Sequence, residues 1–259
     1  MRGWASLYRT SVGLGLRYLL RHGYLREAVI RVVVPLDPSR YLELPPAARE
    51  LGAQPGDRVL DLASPKLLAV WLARRGVEMT SVDALDEEVA RWRALTAGEP
   101  RLRLLRADGR ALPFESASFD HAYSISVLEH VPEPGDALAL RELTRVVRPG
   151  GRIVITLPFA RHARDEWRTR PVYGPEPGSG DGRYLFQRWY DRKRLDALLA
   201  QVPEARVVRR DIVRLQPNWQ VAYSRLFPAL VPLGPLFGLL ARECDRDGDV
   251  VRLTLERSG

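Results

Sequence analysis

Three aspartates lie at the ends of segments that the pattern predicts to be β-strands. Asp61 is the next-to-last residue of the apolar run 58–62, and Asp83 and Asp108 directly follow the runs 77–82 and 102–107. Because ligands of an open α/β sheet bind outside the carboxyl ends of its strands, we expect these carboxylates along one rim. The second can accept both hydroxyls of a ribose, and the third can accept the exocyclic amine of adenine. Each aspartate alone is more typical of a helix N-cap, but together they predict an adenosine site.

A histidine after the fourth predicted strand is the candidate for proton transfer. His130 follows strand 119–125, in the stretch Val-Leu-Glu-His-Val. A hydroxyl or amine that attacks an activated group benefits from a base beside it, which predicts a catalytic His130. The alternative is that His130 packs or caps the local turn. His121, inside the same strand, is interpreted as a structural histidine.

Alternating strands and helices must position these residues. Further strands are predicted over 152–157, 205–215 and 250–256, with helices over 65–75, 85–95, 136–147 and 190–199. Strands and helices that alternate at this spacing indicate βαβ units and right-handed crossovers. The sequence therefore predicts an α/β fold around a parallel sheet.

Motifs between residues 108 and 157 resemble one family. They read Asp-Gly-Arg-Ala-Leu-Pro-Phe from 108, Ser-Phe-Asp from 118, Val-Leu-Glu-His-Val from 127 and Val-Arg-Pro-Gly-Gly-Arg-Ile-Val-Ile from 147. Over about residues 50–157 the chain resembles the class I S-adenosylmethionine-dependent methyltransferases, especially the type 11 family. The resemblance implies a Rossmann-like, seven-stranded, mostly parallel sheet with helices on both faces. It also implies S-adenosylmethionine as cofactor and S-adenosylhomocysteine as product.

The resemblance assigns roles to several residues. Asp83 would hold the ribose, Asp108 with Gly109 would hold adenine, and Ser124 would line the methionine end. Ala84, which follows Asp83, is included in the predicted cofactor site.

The loop after the first strand departs from the family. The usual Asp-x-Gly-x-Gly-x-Gly lets the backbone approach the cofactor, whereas here Asp61 is followed by Ala63, Ser64, Pro65 and Lys66. Ala63 and Ser64 are small, but Pro65 removes an amide donor and also suits a first helical turn. We predict that the loop still contacts the cofactor. Lys66 either pairs with the methionine carboxylate or points to solvent.

The N-terminal 44 residues are predicted to be a helical cap and connector. A basic amphipathic helix places one group of residues on its apolar side, namely Trp4, Leu7, Tyr8, Leu14, Tyr18 and Leu19. A second short helix covers 25–34, and two proline clusters predict a connector up to residue 44. Tyr41 either folds over the cofactor or packs the connector. The apolar side either docks on the chain's own domain or lies on a membrane surface.

The methyltransferase domain is predicted over 45–259, with two insertions. Residues 158–189 and the apolar stretch 216–248 interrupt the alternation of strands and helices. The second insertion is interpreted either as a wall of the acceptor site or as core or dimer interface. The predicted partners include a membrane surface, contacted peripherally, and a second copy of the chain in a homodimer.

Composition excludes several function classes. The net charge is +8, but 38 of the 40 basic residues are arginines, which indicates codon bias and argues against a nucleic-acid partner. One cysteine and four scattered histidines argue against a metal site. Because the first 34 residues carry no apolar signal core and the 16-residue uncharged stretch 226–241 is broken by prolines, we expect a cytoplasmic protein, with a membrane-peripheral location as the alternative.

These observations predict methyl transfer to a small-molecule, lipid-linked or glycan-linked acceptor. The altered loop keeps a second hypothesis open, namely a catalytically degenerate, cofactor-binding or scaffold protein.

Overall fold

A computed structural model describes residues 4–21, 25–33, 38–132, 134–173, 182–214, 242–244 and 248–259. The strands are β1 (Arg58–Leu62), β2 (Glu78–Asp83), β3 (Leu102–Arg106), β4 (His121–Ile125), β5 (Arg152–Pro158), β6 (Arg164–Arg168), β7 (Tyr184–Trp189), β8 (Ala205–Arg214), β9 (Arg242–Glu243) and β10 (Val250–Arg257). The helices are α1 (Trp4–Arg21), α2 (Leu25–Val33), α3 (Pro38–Leu51), α4 (Leu67–Ala73), α5 (Asp86–Leu95), α6 (Gly135–Val146) and α7 (Arg192–Leu199). A 3₁₀ turn covers Leu128–His130.

The main sheet has the strand order β3-β2-β1-β4-β5-β10-β8-β9. Strands β1 to β5 pair in parallel, and β10 lies antiparallel between β5 and β8. The predicted seven-stranded, mostly parallel sheet is therefore confirmed, with the two-residue strand β9 added at the edge beside β8. The strand order reverses between β1 and β4, so their carboxyl ends form the switch point where α/β sheets bind ligands.

Two apolar clusters cover the two faces of the sheet. Val59 of β1 and Tyr123 of β4 pack in one cluster with helices α1 to α5. Leu60, which follows Val59, and Ala122, which precedes Tyr123, pack in the other cluster with α6 and α7. This period of two is the pleat of a strand that is buried on both faces.

The predicted connector before the domain is wrong, because residues 38–51 form helix α3. Tyr41, Leu44, Ala47 and Leu51 recur at helical spacing and pack in the core, which favours the helix despite two internal prolines. Pro46 has no N–H for the carbonyl of Leu42, and Arg252 Nη1 donates to that oxygen at 3.1 Å instead. The predicted boundary at residue 45 falls inside this helix.

Helix α1 packs along the same face of the sheet. Leu7, Leu14 and Tyr18 are buried in the cluster that contains α4 and α5. Leu19, which the helical wheel puts on the apolar side, is exposed, as are Leu16 and Leu20. The buried stripe is therefore narrower than the sequence predicts. Within the described ranges, no helix is long and apolar enough to cross a bilayer.

The first insertion forms a small antiparallel sheet of β6 and β7. It is anchored by Arg188, whose Nη1 lies 3.0 Å from Oδ2 of Asp136, while its Nη2 donates to the carbonyl of Val131. Tyr190 donates to the same carboxylate at 2.8 Å. The insertion is thus attached beside His130. The second predicted insertion, 216–248, lies almost entirely outside the described residues.

Candidate functional site

A cleft of about 570 Å³ opens at the carboxyl ends of β1 to β4. This volume is within the range of roughly 300–1,000 Å³ that small-molecule sites occupy. Most of the residues predicted for the site line the cleft: Ala63, Ser64, Pro65, Lys66, Asp83, Ala84, Asp108, Gly109 and His130. The cleft therefore brings together the candidates from four different strand ends.

The loop after β1 has a tight, internally bonded backbone. Ala63 has a φ of +51°, a left-handed conformation that favours glycine. The Ala63 N–H donates to the carbonyl of Val82 at 2.8 Å, and the Ser64 N–H donates to Oδ1 of Asp61 at 3.1 Å. Pro65 has no N–H. The loop keeps a glycine-like bend, but three consecutive residues offer no backbone donor to a ligand.

Lys66, the last residue of this loop, is only 2% exposed. Its Nζ is 3.5 Å from Oδ2 of Asp61 and 3.4 Å from Oδ2 of Asp83. Neither approach meets hydrogen-bond geometry, and among the described residues Nζ has no hydrogen-bond partner. The solvent-facing alternative for Lys66 is therefore wrong, because its ammonium is buried beside the two carboxylates.

Asp83 and Asp108 are the carboxylates that reach the rim. Oδ1 of Asp83 accepts the Leu85 N–H at 3.1 Å. The Arg110 guanidinium donates hydrogen bonds to Asp108, from Nε to Oδ1 at 3.0 Å and from Nη2 to Oδ2 at 2.8 Å. These hydrogen bonds lower the pKa of Asp108 below the usual value. Oδ1 of Asp83 keeps a further lone pair for a ligand, whereas each oxygen of Asp108 already accepts two hydrogen bonds from Arg110. A Cβ at Gly109 would lie 2.8 Å from Cδ1 of Leu62, so a larger residue here would require the Leu62 side chain to shift.

Three predicted site residues do not line the cleft. Asp61 is fully buried behind the loop, where Ser81 Oγ donates to it at 2.6 Å and burial raises its pKa. Ser124 is buried within β4 and donates to the Leu62 carbonyl. Tyr41 packs in the core with α3 and does not lie over the cleft. For these three, direct contact with the cofactor stays a prediction, and Asp61 bonds the loop that borders the cleft.

His130 is fixed beside the cleft by the first insertion. Its Nδ1 lies 2.5 Å from the carbonyl oxygen of Phe186, so this nitrogen carries the hydrogen and Nε2 keeps the lone pair. The ring of Tyr173 packs on the imidazole at 4.3 Å between centroids. Burial lowers the pKa of His130, which favours the neutral form. The side chain has the tautomer and charge that a proton acceptor needs.

Glu129, next to His130, is a buried acid that the sequence motif contained but did not single out. Its Oε1 lies 3.7 Å from Nε2 of His130. Burial raises the pKa of Glu129 to about 8, so the carboxyl group is protonated at neutral pH. A neutral carboxyl at this distance neither charges His130 nor occupies its lone pair.

A second buried acid links α3 to the cleft. Glu43 accepts hydrogen bonds from Ser126 Oγ and from Thr156 Oγ1, the latter at 2.8 Å, and pairs with Arg40 Nη1 at 2.7 Å. Ser126 and Arg40 line the cleft, and Ser126 has a φ of +52°. Sequence reasoning missed Arg40 and Glu43 because it assigned 35–44 to a connector. The spacing of Arg40 and Glu43 by three residues, within a helical apolar pattern, was the available signal.

Helix α2 also reaches the cleft. Arg31 lies over the ring of Trp92 at 4.7 Å, and both residues line the cleft beside Asp83. Burial lowers the pKa of Arg31. The sequence pattern identified the arginines of the N-terminal segment only as a polar helix face. The contact of Arg31 with Trp92 was therefore not predicted.

Comparisons with known proteins agree with this geometry. A sequence model described as a methyltransferase domain matches residues 60–155. A demethylmenaquinone methyltransferase of Clavibacter sepedonicus is 32% identical over 172 residues, which cover 61% of this chain and 69% of that protein. The chain belongs to the class I S-adenosylmethionine-dependent methyltransferase family. The cofactor of this family is S-adenosylmethionine.

One further curated protein and one solved structure are similar to this chain. An uncharacterized methyltransferase of Mycobacterium sp. (strain JLS) is 39% identical over 149 residues, 51% of this chain and 57% of that protein. The chain thus spans little more than half the length of the first curated relatives it matches. The structure of an S-adenosylmethionine-dependent methyltransferase from Mesorhizobium loti aligns with a TM-score of 0.56 at 18% identity, covering 85% of this chain and all of that one, which shows the shared fold.

The residues of the cleft fit S-adenosylmethionine chemically. Asp83 offers an acceptor for hydroxyl hydrogens, and Asp108 and Gly109 line the same cleft. The buried ammonium of Lys66 lacks a hydrogen-bond acceptor among the described residues. An anionic ligand group beside Nζ would supply this acceptor.

Proposed function

We propose that this protein transfers the methyl group of S-adenosylmethionine to a hydroxyl or amine of a small-molecule or lipid- or glycan-linked acceptor. The observation that carries the proposal is the position of His130, which lines the same cleft as Asp83 and Asp108. The cleft therefore offers both adenosine-binding groups and a proton acceptor.

Each residue has a distinct role in this proposal. Asp83 binds the ribose hydroxyls, Asp108 and Gly109 hold the adenine, and the loop 63–66 with Ala84 borders the cofactor. S-adenosylmethionine supplies a methyl group on a positively charged sulfur, which needs orientation more than further activation. Nε2 of His130 accepts the proton that the acceptor oxygen or nitrogen releases as it gains the methyl group.

The wall beside His130 supports a small acceptor with an apolar or flat part. Val172 and Tyr173 line the cleft and are exposed there. The relative from Clavibacter sepedonicus is named for demethylmenaquinone, which is consistent with such an acceptor.

Labelled methyl transfer tests the proposal. Protein and S-adenosylmethionine carrying a ¹³C-methyl group are incubated with polar and apolar extracts of a strain that lacks the gene. We expect a labelled product in one extract with the wild type and at least tenfold less with His130→Gln. The product's fraction would also separate a polar from a lipid-linked acceptor.

The altered loop favours a second candidate, a cofactor-binding protein without turnover. Its supporting observation is the buried Lys66 ammonium, which lies 3.4 Å from Oδ2 of Asp83. Tight binding of S-adenosylhomocysteine together with no labelled product in either extract would favour this candidate over the enzyme.

A further inference from the structure

Lys66 is a buried cation with unused hydrogen-bonding capacity. An ammonium group has three donors, and leaving them unused inside a protein is unfavourable. Asp61 and Asp83 compensate the charge at 3.5 and 3.4 Å, but neither accepts a hydrogen bond from Nζ. Because Lys66 lines the cleft, a ligand can supply the acceptor that the described residues do not.

The backbone of residues 63–65 has no free donor for an anion. The N–H groups of Ala63 and Ser64 are used within the protein, and Pro65 has none. An anionic ligand group that approaches this loop therefore meets the lysine side chain where backbone donors are missing. The loss of backbone donors and the presence of a buried ammonium occur within four consecutive residues.

We propose that Lys66 Nζ donates a hydrogen bond to the carboxylate of the methionine part of the cofactor, in place of backbone N–H groups of the loop. Asp61 and Asp83 keep the ammonium oriented, so Lys66 acts as a fixed donor. The lysine then selects ligands that carry the amino-acid part over ligands that end at the adenosine thioether. This inference rests on the proposed cofactor site.

The contribution of this hydrogen bond is measured by comparing the binding of two ligands to the wild type and to Lys66→Met. S-adenosylhomocysteine carries the carboxylate, and 5′-methylthioadenosine lacks the whole amino-acid part. We expect Lys66→Met to weaken calorimetrically measured binding of S-adenosylhomocysteine at least tenfold and binding of 5′-methylthioadenosine less than threefold. Lys193→Met is the matched control, because Lys193 is the one other lysine of the chain and is exposed on α7.

The outcomes separate this inference from the proposed function. Equal loss of both ligands would mean that Lys66 acts through Asp83 or the fold, and no loss of either would remove Lys66 from the site; both results overturn the inference. If the wild type binds neither ligand, the cofactor site itself is wrong.

A measurement on the wild type covers the case in which Lys66→Met does not fold. With lysine labelled at ¹³Cε, the two lysines give two side-chain signals, and Lys193→Met assigns them. We expect the Lys66 signal to shift at least threefold more with saturating S-adenosylhomocysteine than with saturating 5′-methylthioadenosine. Equal shifts would overturn the inference.

Discussion

The Nδ1 atom of His130 lies 2.5 Å from the carbonyl oxygen of Phe186, which joins the turn after β4 to strand β7 of the first insertion. A backbone carbonyl only accepts hydrogen bonds, so it fixes the imidazole as the Nδ1–H tautomer. The insertion therefore determines which nitrogen of the candidate base faces its reaction partner.

This contact predicts the tautomer and titration of His130. Long-range ¹H–¹⁵N spectra should show the Nδ1–H form and a pKa below the ordinary 6.5, since burial disfavours the charged ring. His130→Gln assigns the signals, and exposed His162 supplies a comparison within the same spectrum. Turnover should fall as the pH drops through the His130 pKa. An Nε2–H tautomer would contradict the proposed base.

Glu129 predicts a specific dependence of stability on pH. Its pKa is about 8 in the folded protein, compared with the ordinary value of 4.5. The contribution of this group to the free energy of unfolding is therefore fully present below pH 4.5 and is lost as the pH rises to 8. Relative to the wild type, Glu129→Gln should gain roughly 3–5 kcal/mol of unfolding free energy between pH 4.5 and 8.5. Urea unfolding across this range measures it. Exposed Glu115→Gln is the control, and parallel curves for wild type and Glu129→Gln would refute the buried neutral carboxyl.

The backbone of Ala63 predicts a stabilising substitution. A left-handed φ of +51° costs an alanine about 1 kcal/mol that glycine does not pay. Ala63→Gly should therefore raise the unfolding free energy by about 1 kcal/mol, whereas Ala84→Gly should lower it. Chemical denaturation compares the two. A loss of stability in Ala63→Gly would show that the loop is not strained there.

The anchor of the insertion predicts a coupled loss of stability. Arg188→Met leaves the buried Asp136 without its cation and should cost roughly 3–5 kcal/mol. A double variant with Asp136→Asn should lose clearly less than the sum of the single variants. Arg101→Met, in a half-exposed pair with Glu78, should cost at most about 1 kcal/mol. Additive losses at Arg188 and Asp136 would contradict a direct ion pair.

The sequence predicted the sheet and most of the cleft because their signals are local. Apolar runs that end in Asp83 or Asp108 show both the strand and the rim position of its last residue. Residues whose placement depends on contacts distant in sequence were missed or misassigned. Helix α3 survives its prolines because Arg252, 210 residues away, bonds a carbonyl that Pro46 leaves free. Lys66 is buried by Asp61 and Asp83 together, a relationship that neither strand shows alone.

The most direct test of the cofactor site is the affinity for S-adenosylhomocysteine of the wild type, Asp83→Ala and Asp86→Ala, measured by isothermal titration calorimetry. Asp86 is exposed at the start of α5 and is the matched control. Hydrogen bonds from a carboxylate to a ribose are worth roughly 1.5–3 kcal/mol, so Asp83→Ala should weaken one-to-one binding about tenfold or more. Asp86→Ala should bind like the wild type. Unchanged affinity in Asp83→Ala, or no binding by the wild type, would contradict the cofactor site.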